Sequence, residues 1–155
     1  MWVRLRNVLT VLRGLALAAL IPDLRRVWTK VRNFERGLPE LLRPPLSEAL
    51  AAIRPARPDL RLPADQLRLL CDTAALLDRR SPLGLCLRRS MVRYHFLSRA
   101  GLPLVLQFGA RFKDGRPDRD VTGHAWVALD GRPYFEDGEN YRGFTVMLRY
   151  PPPEE

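Results

Sequence analysis

The hydrophobic period of this chain changes at Gly101, and that change constrains the fold more than any other feature. Before Gly101 apolar residues recur every three or four positions, the period of helices that bury one face. After it, from Leu104, apolar and polar residues alternate as in a half-buried strand. We predict helices over residues 22–36, 47–53, 64–77 and 86–100, and strands over residues 104–112, 123–129, 132–136 and 143–150. Helices followed by an antiparallel meander predict an α+β fold.

A proline-rich stretch, residues 38–63, divides the helical part of the chain. Its six prolines are Pro39, Pro44, Pro45, Pro55, Pro58 and Pro63. Such a density suits a segment lying over a surface better than a core element. Residues 1–63 are therefore predicted to be a helical, proline-rich extension packed on a core of residues 64–155. A length of 155 residues fits one compact domain overall.

The first 22 residues predict an amphipathic helix rather than a signal peptide or a membrane span. Arg13 interrupts the apolar run, which is shorter than the roughly 18 residues that a spanning helix needs. Apolar residues share one face: Trp2, Leu5, Leu9, Leu12 and Ala16. The helix either packs on its own domain or docks on a membrane surface or a partner. We expect a cytoplasmic protein that has, at most, a peripheral membrane contact.

The formal net charge of +9 is concentrated at the N-terminal end, because residues 1–61 hold 12 basic and 5 acidic residues. Few aromatic residues interleave with these arginines and no nucleic-acid motif is present, so no nucleic acid partner is predicted. The chain has two cysteines and two histidines, too few for a structural zinc site. Neither a metal nor another cofactor is expected.

Cys86 is the candidate nucleophile, because it lies in the first turn of the helix that follows Pro82 and Gly84. Unpaired N–H groups and the positive end of the helix dipole favour a thiolate there. Cys71, in contrast, lies mid-helix among apolar residues and is expected to be buried. His95 is expected to have a packing or surface role, and Ser90 to be a small packing residue.

His124 is the candidate base, and it opens a strand after Gly123. The Asp130-Gly131 pair predicts a two-residue hairpin turn, which folds the next strand back and brings Glu136 and Asp137 near His124. Cys86 would then attack a carbonyl carbon and form a thioester, while its own N–H stabilises the oxyanion. His124 would transfer the proton, and either carboxylate would orient the imidazole. Alternatively, these residues are structural.

The run from residue 85 to residue 137 resembles the transglutaminase-like cysteine peptidases of lasso-peptide biosynthesis, which remove leader peptides. Four features carry the resemblance, and they occur in the same order. They are the helix-opening Cys86-Leu87-Arg88-Arg89-Ser90, the turn with Arg99, Gly101 and Pro103, the Gly109-x-Arg111 strand end, and the His124-Ala125-Trp126-Val127 strand. Arg88 and Arg89 are otherwise expected to be solvated or to contact the substrate or a partner at the rim of the site.

The resemblance implies a papain-like fold with a Cys86, His124 and Asp137 triad and no metal. It also implies hydrolysis of one peptide bond between the leader and core of a ribosomally made precursor peptide. A small leader-recognition protein would present the precursor, and a cyclase would consume the product. The family spacing would put the acid at Glu136, but Asp137 is preferred because aspartate is the residue type of the family.

Two other functions stay open at this point. The chain could be a non-catalytic basic module that binds a membrane surface or an acidic partner. It could also be a transglutaminase-like enzyme that acts on another amide, for example by amide transfer. The reactivity of Cys86 distinguishes a non-catalytic module from an enzyme. A catalytic Cys86 should react faster than Cys71, whereas a binding module has no reason to activate Cys86.

Overall fold

The structure, a computed structural model, describes residues 2–112 and 120–152. In these residues helices precede strands, apart from one short helix before the last strand. The helices are α1 (Trp2–Leu20), α2 (Pro22–Leu41), α3 (Leu46–Ile53), α4 (Ala64–Leu77), α5 (Leu85–Arg99) and α6 (Gly138–Tyr141). The strands are β1 (Leu104–Phe112), β2 (Val121–Leu129), β3 (Arg132–Pro133) and β4 (Thr145–Tyr150). The predicted α+β fold is confirmed. The sequence also predicts a loop over residues 113–120, between the first two strands, and all of it except Asp120 lies outside the described residues.

Strands β1, β2 and β3 form the hairpin-connected part of one antiparallel sheet. The register of β1 and β2 runs from Leu104 opposite Leu129 to Phe112 opposite Val121. The turn between β2 and β3 has φ values of 50° at Asp130 and 75° at Gly131. Two positive φ values are typical of the two-residue turns that match the twist of a hairpin. The hairpin predicted from the Asp-Gly pair is confirmed.

The last strand departs from the predicted meander. The order in the sheet is β3-β2-β1-β4, so β4 pairs with β1 rather than with β3. The return strand expected over residues 132–136 ends after Pro133, and two residues offer β4 little backbone to pair with. Strand β1 is nine residues long, and only one of its edges pairs with β2. Strand β4 therefore pairs with the other edge of β1, where its N–H and C=O groups find partners.

Helix α5 is the centre of the packing, with α2 and α4 on one side and β1 and β2 on the other. Its fully or nearly fully buried apolar residues are Met91, Val92, Tyr94, Phe96 and Leu97. They belong to the same core as side chains of α2, α3, α4, β1 and β2. Because both sides of α5 are covered, the position of its first turn is fixed relative to the sheet.

Helix α2 extends beyond Gly37, where the sequence predicts its end, and runs to Leu41. Leu38 is fully buried in the core, and its burial outweighs the roughly 1 kcal/mol by which glycine disfavours a helix. The longer helix brings the proline-rich connector to the start of α5. No helix in the described parts of the chain is long and apolar enough to cross a membrane.

Candidate active site

Cys86 lies in the first turn of α5. Gly84 precedes the helix in an extended conformation, with φ −60° and ψ 148°, and Leu85 is the first helical residue. The N–H groups of a first turn have no acceptor within the helix and carry its positive partial charge. Cys86 is half-buried, so its thiol is partly shielded from water while it remains accessible.

His124 lies on β2, and aromatic rings hold its imidazole. The ring stacks on Trp126, with centroids 5.7 Å apart and planes inclined by 20°, and lies 5.5 Å from the ring of Phe144. Gly109 of β1 is opposite His124. A Cβ at Gly109 would lie 2.8 Å from the ring of Trp126, so the absence of a side chain there makes room for this stack.

The Cys86 thiol and the His124 imidazole interact directly, and this interaction is the largest favourable influence on the charged form of each group. The hydrogen bond with His124 lowers the pKa of Cys86, and although burial acts in the opposite direction, the Ala125 N–H lowers it further. The bonds of the imidazole with Cys86 and Glu136 raise the pKa of His124 to about 9. A lowered thiol pKa beside a raised imidazole pKa favours a thiolate–imidazolium pair near neutral pH.

Glu136 is the carboxylate that contacts the imidazole. Its Oε1 lies 3.3 Å from His124 Nε2, which leaves Nδ1 of the ring for Cys86. The Glu136 side chain is only 1% exposed. Burial acts to raise its pKa, but the hydrogen bond from His124 and the charge of Arg89 outweigh it, so the pKa of Glu136 is lowered. The carboxylate is therefore ionised and can orient the imidazolium.

The structure does not bring Asp137, the carboxylate preferred from the sequence, to His124. Its side chain is 52% exposed and forms an ion pair with Arg6 of α1, at 2.7 Å. The reason is the early end of β3, after which Phe135 takes a positive φ of 49° and the chain leaves the sheet. Glu136 then turns inward and Asp137 outward, so the geometry favours Glu136 as the third residue.

Arg89 holds the Glu136 carboxylate in place. Its Nη2 lies 3.2 Å from both carboxylate oxygens, and Asn140 Nδ2 donates to Oε1 at 3.0 Å. The sequence places Arg89 in solvent or at the rim, where it would contact a substrate, but the structure gives it this acidic partner. Arg89 lies three residues after Cys86, so the two side chains are neighbours on the surface of one helix. This spacing is the sequence signal that could have placed Arg89 at the site.

Ser90 connects the helix that carries Cys86 to the strand that carries His124. Its Oγ lies 2.7 Å from the carbonyl oxygens of both Cys86 and Ala125. A hydroxyl has one proton, so it donates to one of these carbonyls at a time. Ser90 is buried, and it fixes the spacing between the first turn of α5 and the residue that follows His124.

Two further arginines of α5 are buried, and they fix the segments that lead into the site. Arg88 donates from Nη1 to Glu35 Oε1 at 2.7 Å and from Nε to the carbonyl oxygen of Leu83 at 3.1 Å. The expectation that Arg88 is solvated is therefore wrong. Arg93 binds Asp72 through Nε and Nη2, at 2.6 and 2.8 Å.

The remaining nitrogen of Arg93 reaches the chain just before Glu136. Its Nη1 donates to the carbonyl oxygens of Tyr134 and Phe135, at 3.3 and 3.2 Å. This arrangement explains how the segment is held after it leaves the sheet. Because the buried Arg93 binds both Asp72 and this segment, the segment is fixed to α4 and α5, and Glu136 is held in its inward position.

Cys86 and His124 open onto a cleft of about 570 Å³. The connector after α2, the first turns of α5, and both β1 and β2 contribute its walls. Among the described residues that line the cleft, only Cys86 and His124 have polar side chains. The apolar side chains are Leu42, Pro44, Leu46, Leu83, Leu87, Met91, Phe108 and Ala125. The cleft has room for a substrate segment next to the thiol.

The other cysteine and histidine lie away from this cleft. Cys71 is fully buried, and burial raises its thiol pKa far above the ordinary range. His95 Nδ1 lies 2.7 Å from the carbonyl oxygen of Ile53, and its ring stacks on Phe34 at 4.2 Å. Within residues 2–112 and 120–152, no three His, Cys, Asp or Glu side chains group as a metal site.

Comparison with known families agrees with this geometry. The family model of the transglutaminase-like superfamily matches residues 38–149, which is most of the chain and includes Cys86, His124 and Glu136. Comparisons with curated proteins and with solved structures found no match. The four-stranded antiparallel sheet and the helix that carries the cysteine are consistent with a transglutaminase-like core. This chain belongs to the transglutaminase-like superfamily.

Proposed function

We propose that the protein is a cysteine peptidase in which Cys86 is the nucleophile, His124 the general acid and base, and Glu136 the residue that orients His124. A transglutaminase-like domain suggests a cysteine peptidase or a transglutaminase-type activity. The observation that carries the proposal is the continuous contact from Cys86 to His124 to Glu136 beside an open cleft. A purely structural cysteine would not need this set of contacts.

The first half of the proposed reaction forms an acyl-enzyme. The Cys86 thiolate attacks the carbonyl carbon of the scissile bond, and the carbonyl electrons move to its oxygen. The Cys86 N–H, which has no acceptor within the helix, stabilises this oxyanion. The His124 imidazolium then gives its proton to the leaving nitrogen, the amine departs, and a thioester remains on Cys86.

The second half hydrolyses the thioester. Neutral His124 takes a proton from water while the water oxygen bonds to the thioester carbon. The carbon–sulfur bond breaks, the acid product leaves, and Cys86 returns as a thiolate beside a protonated His124. Glu136 stays ionised throughout, because Arg89 and Asn140 hold its charge, and it keeps the ring in one orientation.

We propose a ribosomally made precursor peptide as the substrate, with cleavage between leader and core in the cytoplasm. The resemblance of residues 85–137 to the leader peptidases of lasso-peptide biosynthesis supports this choice. The apolar cleft is compatible with an extended peptide segment. A small leader-recognition protein would present the precursor, and a cyclase would use the released core.

The test is intact-mass analysis of the full chain incubated with synthetic lasso-type precursor peptides, with and without their leader-recognition proteins. We expect a transient acyl adduct on Cys86 and two peptide products whose masses together equal precursor plus water. The Cys86→Ala variant is the matched control and should give neither. Adding a free primary amine tests the other enzyme class, because a product carrying that amine in place of water would show amide transfer. If the wild type matches Cys86→Ala under every condition, the peptidase proposal fails and a non-catalytic module is favoured.

A further inference from the structure

Helix α1 packs on the rest of the molecule through one face only. Its buried and half-buried residues recur every three or four positions: Asn7, Thr10, Val11, Gly14, Leu17 and Ala18. This face meets α4, where Thr73 Oγ1 lies 3.2 Å from the carbonyl oxygen of Thr10. A Cβ at Gly14 would lie 1.9 Å from Thr73 Oγ1, so the helix approaches α4 as closely as a glycine permits.

The opposite face of α1 is apolar as well, yet it is exposed. We call this the outer face, and it consists of Leu5, Val8, Leu9, Leu12, Leu15 and Leu20. These side chains are between 39% and 79% exposed. On a helix with 100° per residue they lie in one continuous arc. Single exposed apolar residues are ordinary, but six on one face of a helix indicate a surface that another body covers.

The charges around the outer face have one sign. Helix α1 contains three arginines and no acidic residue. By the helical period, Arg4 lies on one side of the outer face, and Arg6 and Arg13 lie on the other. Arg6 also pairs with Asp137. An apolar face bordered by arginines on both sides complements a surface that is negative at its headgroups and apolar beneath them.

We propose that the outer face of α1 binds the surface of an anionic lipid membrane, with the helix lying in the plane of that surface. At 1.5 Å per residue, its 19 residues would lie along about 28 Å of the interface. A second copy of this chain suits the face less well, because it would place arginines against arginines. No residue of α1 lines the described catalytic cleft, so a membrane-bound protein would keep that cleft open.

The experiment is flotation of the full chain with vesicles of two compositions. One contains phosphatidylcholine alone, and the other phosphatidylcholine and phosphatidylglycerol in equal parts. We expect binding to the anionic vesicles, weakened by salt, and little binding to the neutral ones. The Leu5→Gln, Leu9→Gln, Leu12→Gln triple variant should lose affinity by roughly tenfold or more, since it removes three apolar anchors but retains the arginines.

Two control variants separate the apolar and the charge contributions. Met147→Gln, which changes an apolar residue of β4 that is 70% exposed, should bind as the wild type does. Arg4→Gln with Arg13→Gln should weaken binding to anionic vesicles by roughly tenfold and leave little salt dependence. Thermal melting by circular dichroism checks that each variant is folded, and peptide-bond cleavage should be unchanged in all of them.

Several results would overturn the proposal. A wild type that stays off anionic vesicles at low salt would do so, and so would a triple variant that is folded and binds as well as the wild type. Equal binding to neutral vesicles would overturn the anionic specificity. If sedimentation instead showed a dimer that the triple variant dissolves, without vesicle binding, the outer face would be an interface between copies.

Discussion

Cys71 lies in the middle of α4 and Cys86 in the first turn of α5, and these two helices pack against each other. Cys71 is fully buried, with its Sγ 3.8 Å from the carbonyl oxygen of Val92, and burial raises its pKa. Cys86 is half-buried beside His124, which lowers its pKa. The same side chain therefore meets two environments, one that suppresses the thiolate and one that stabilises it.

The difference teaches that a position at a helix end beside a hydrogen-bond donor sets the pKa of a cysteine thiol more than its neighbours in sequence do. The region around Cys71 also supports the site around Cys86. Asp72, next to Cys71, binds Arg93, and Arg93 holds the carbonyl oxygens of Tyr134 and Phe135 just before Glu136. The buried side of α5 thus fixes the carboxylate end of the site, while the first turn of the helix presents Cys86 to the cleft.

The largest expected effect comes from exchanging each cysteine for alanine. Cys86→Ala should abolish peptide cleavage, because no other described side chain in the cleft can form the acyl-enzyme. Cys71→Ala should retain the turnover rate and lower the free energy of unfolding by about 1 kcal/mol, because it leaves a small cavity in the core. Cleavage rates and urea denaturation of the two variants measure this contrast. A folded Cys71→Ala enzyme without turnover would break the comparison.

A second substitution pair tests why only Cys86 is activated. Glu136→Gln should lower kcat by about a hundredfold, because the imidazolium loses the charge that orients and stabilises it. It should also move the alkaline limit of activity to a lower pH, because the Glu136 carboxylate helps to raise the pKa of His124 to about 9. Asp137→Asn is the matched control and should change kcat by less than about threefold, since its ion pair with Arg6 is exposed.

The outcome of this pair is read from pH profiles of kcat and kcat/KM. In the wild type, activity falls as the pH rises through the His124 pKa of about 9, because the imidazolium proton that the leaving group needs is then lost. A larger loss in Asp137→Asn than in Glu136→Gln would restore Asp137 as the orienting residue, against the contacts observed here.

Local patterns predicted much of the fold and part of the site. Helix α4 and strand β1 have the bounds that periodicity predicts. The encounter of Cys86 with His124 could be anticipated from a helix start and a strand start. The choice between Glu136 and Asp137 could not, because it depends on where β3 ends and on Arg93, which lies about forty residues earlier in the chain.

Long-range ion pairs account for most of what the sequence left open. Arg88 pairs with Glu35 across 53 residues, and Arg89 with Glu136 across 47. Neither separation leaves a local pattern, so the sequence predicts only solvent exposure, or a contact with a substrate or partner at the rim, for both arginines. The place of β4 in the sheet also leaves no local pattern, because it depends on which strand edge is unpaired after β3 ends.

The smallest expected effect concerns Ser90, which connects the two halves of the site. Ser90→Ala leaves the buried carbonyls of Cys86 and Ala125 without this donor, so we expect the free energy of unfolding to fall by about 1 to 2 kcal/mol. Because Ser90 only sets the spacing of the site, kcat should fall by less than about tenfold with KM unchanged. Ser98→Ala, at the other end of α5, is the control. Equal effects on kcat in the two variants would contradict the claim that Ser90 sets the spacing of the site.

Alkylation of the folded protein by iodoacetamide across pH, with mass mapping of both cysteines, tests the central claim most directly. Because the Cys86 pKa is lowered, its thiolate should persist as the pH falls below the ordinary value of about 8.5, while buried Cys71 stays unreactive. In His124→Ala, the reactivity of Cys86 near neutral pH should fall by roughly tenfold as its pKa returns toward that value. A Cys86 that titrates near about 8.5 in the wild type, unchanged by His124→Ala, would contradict the account.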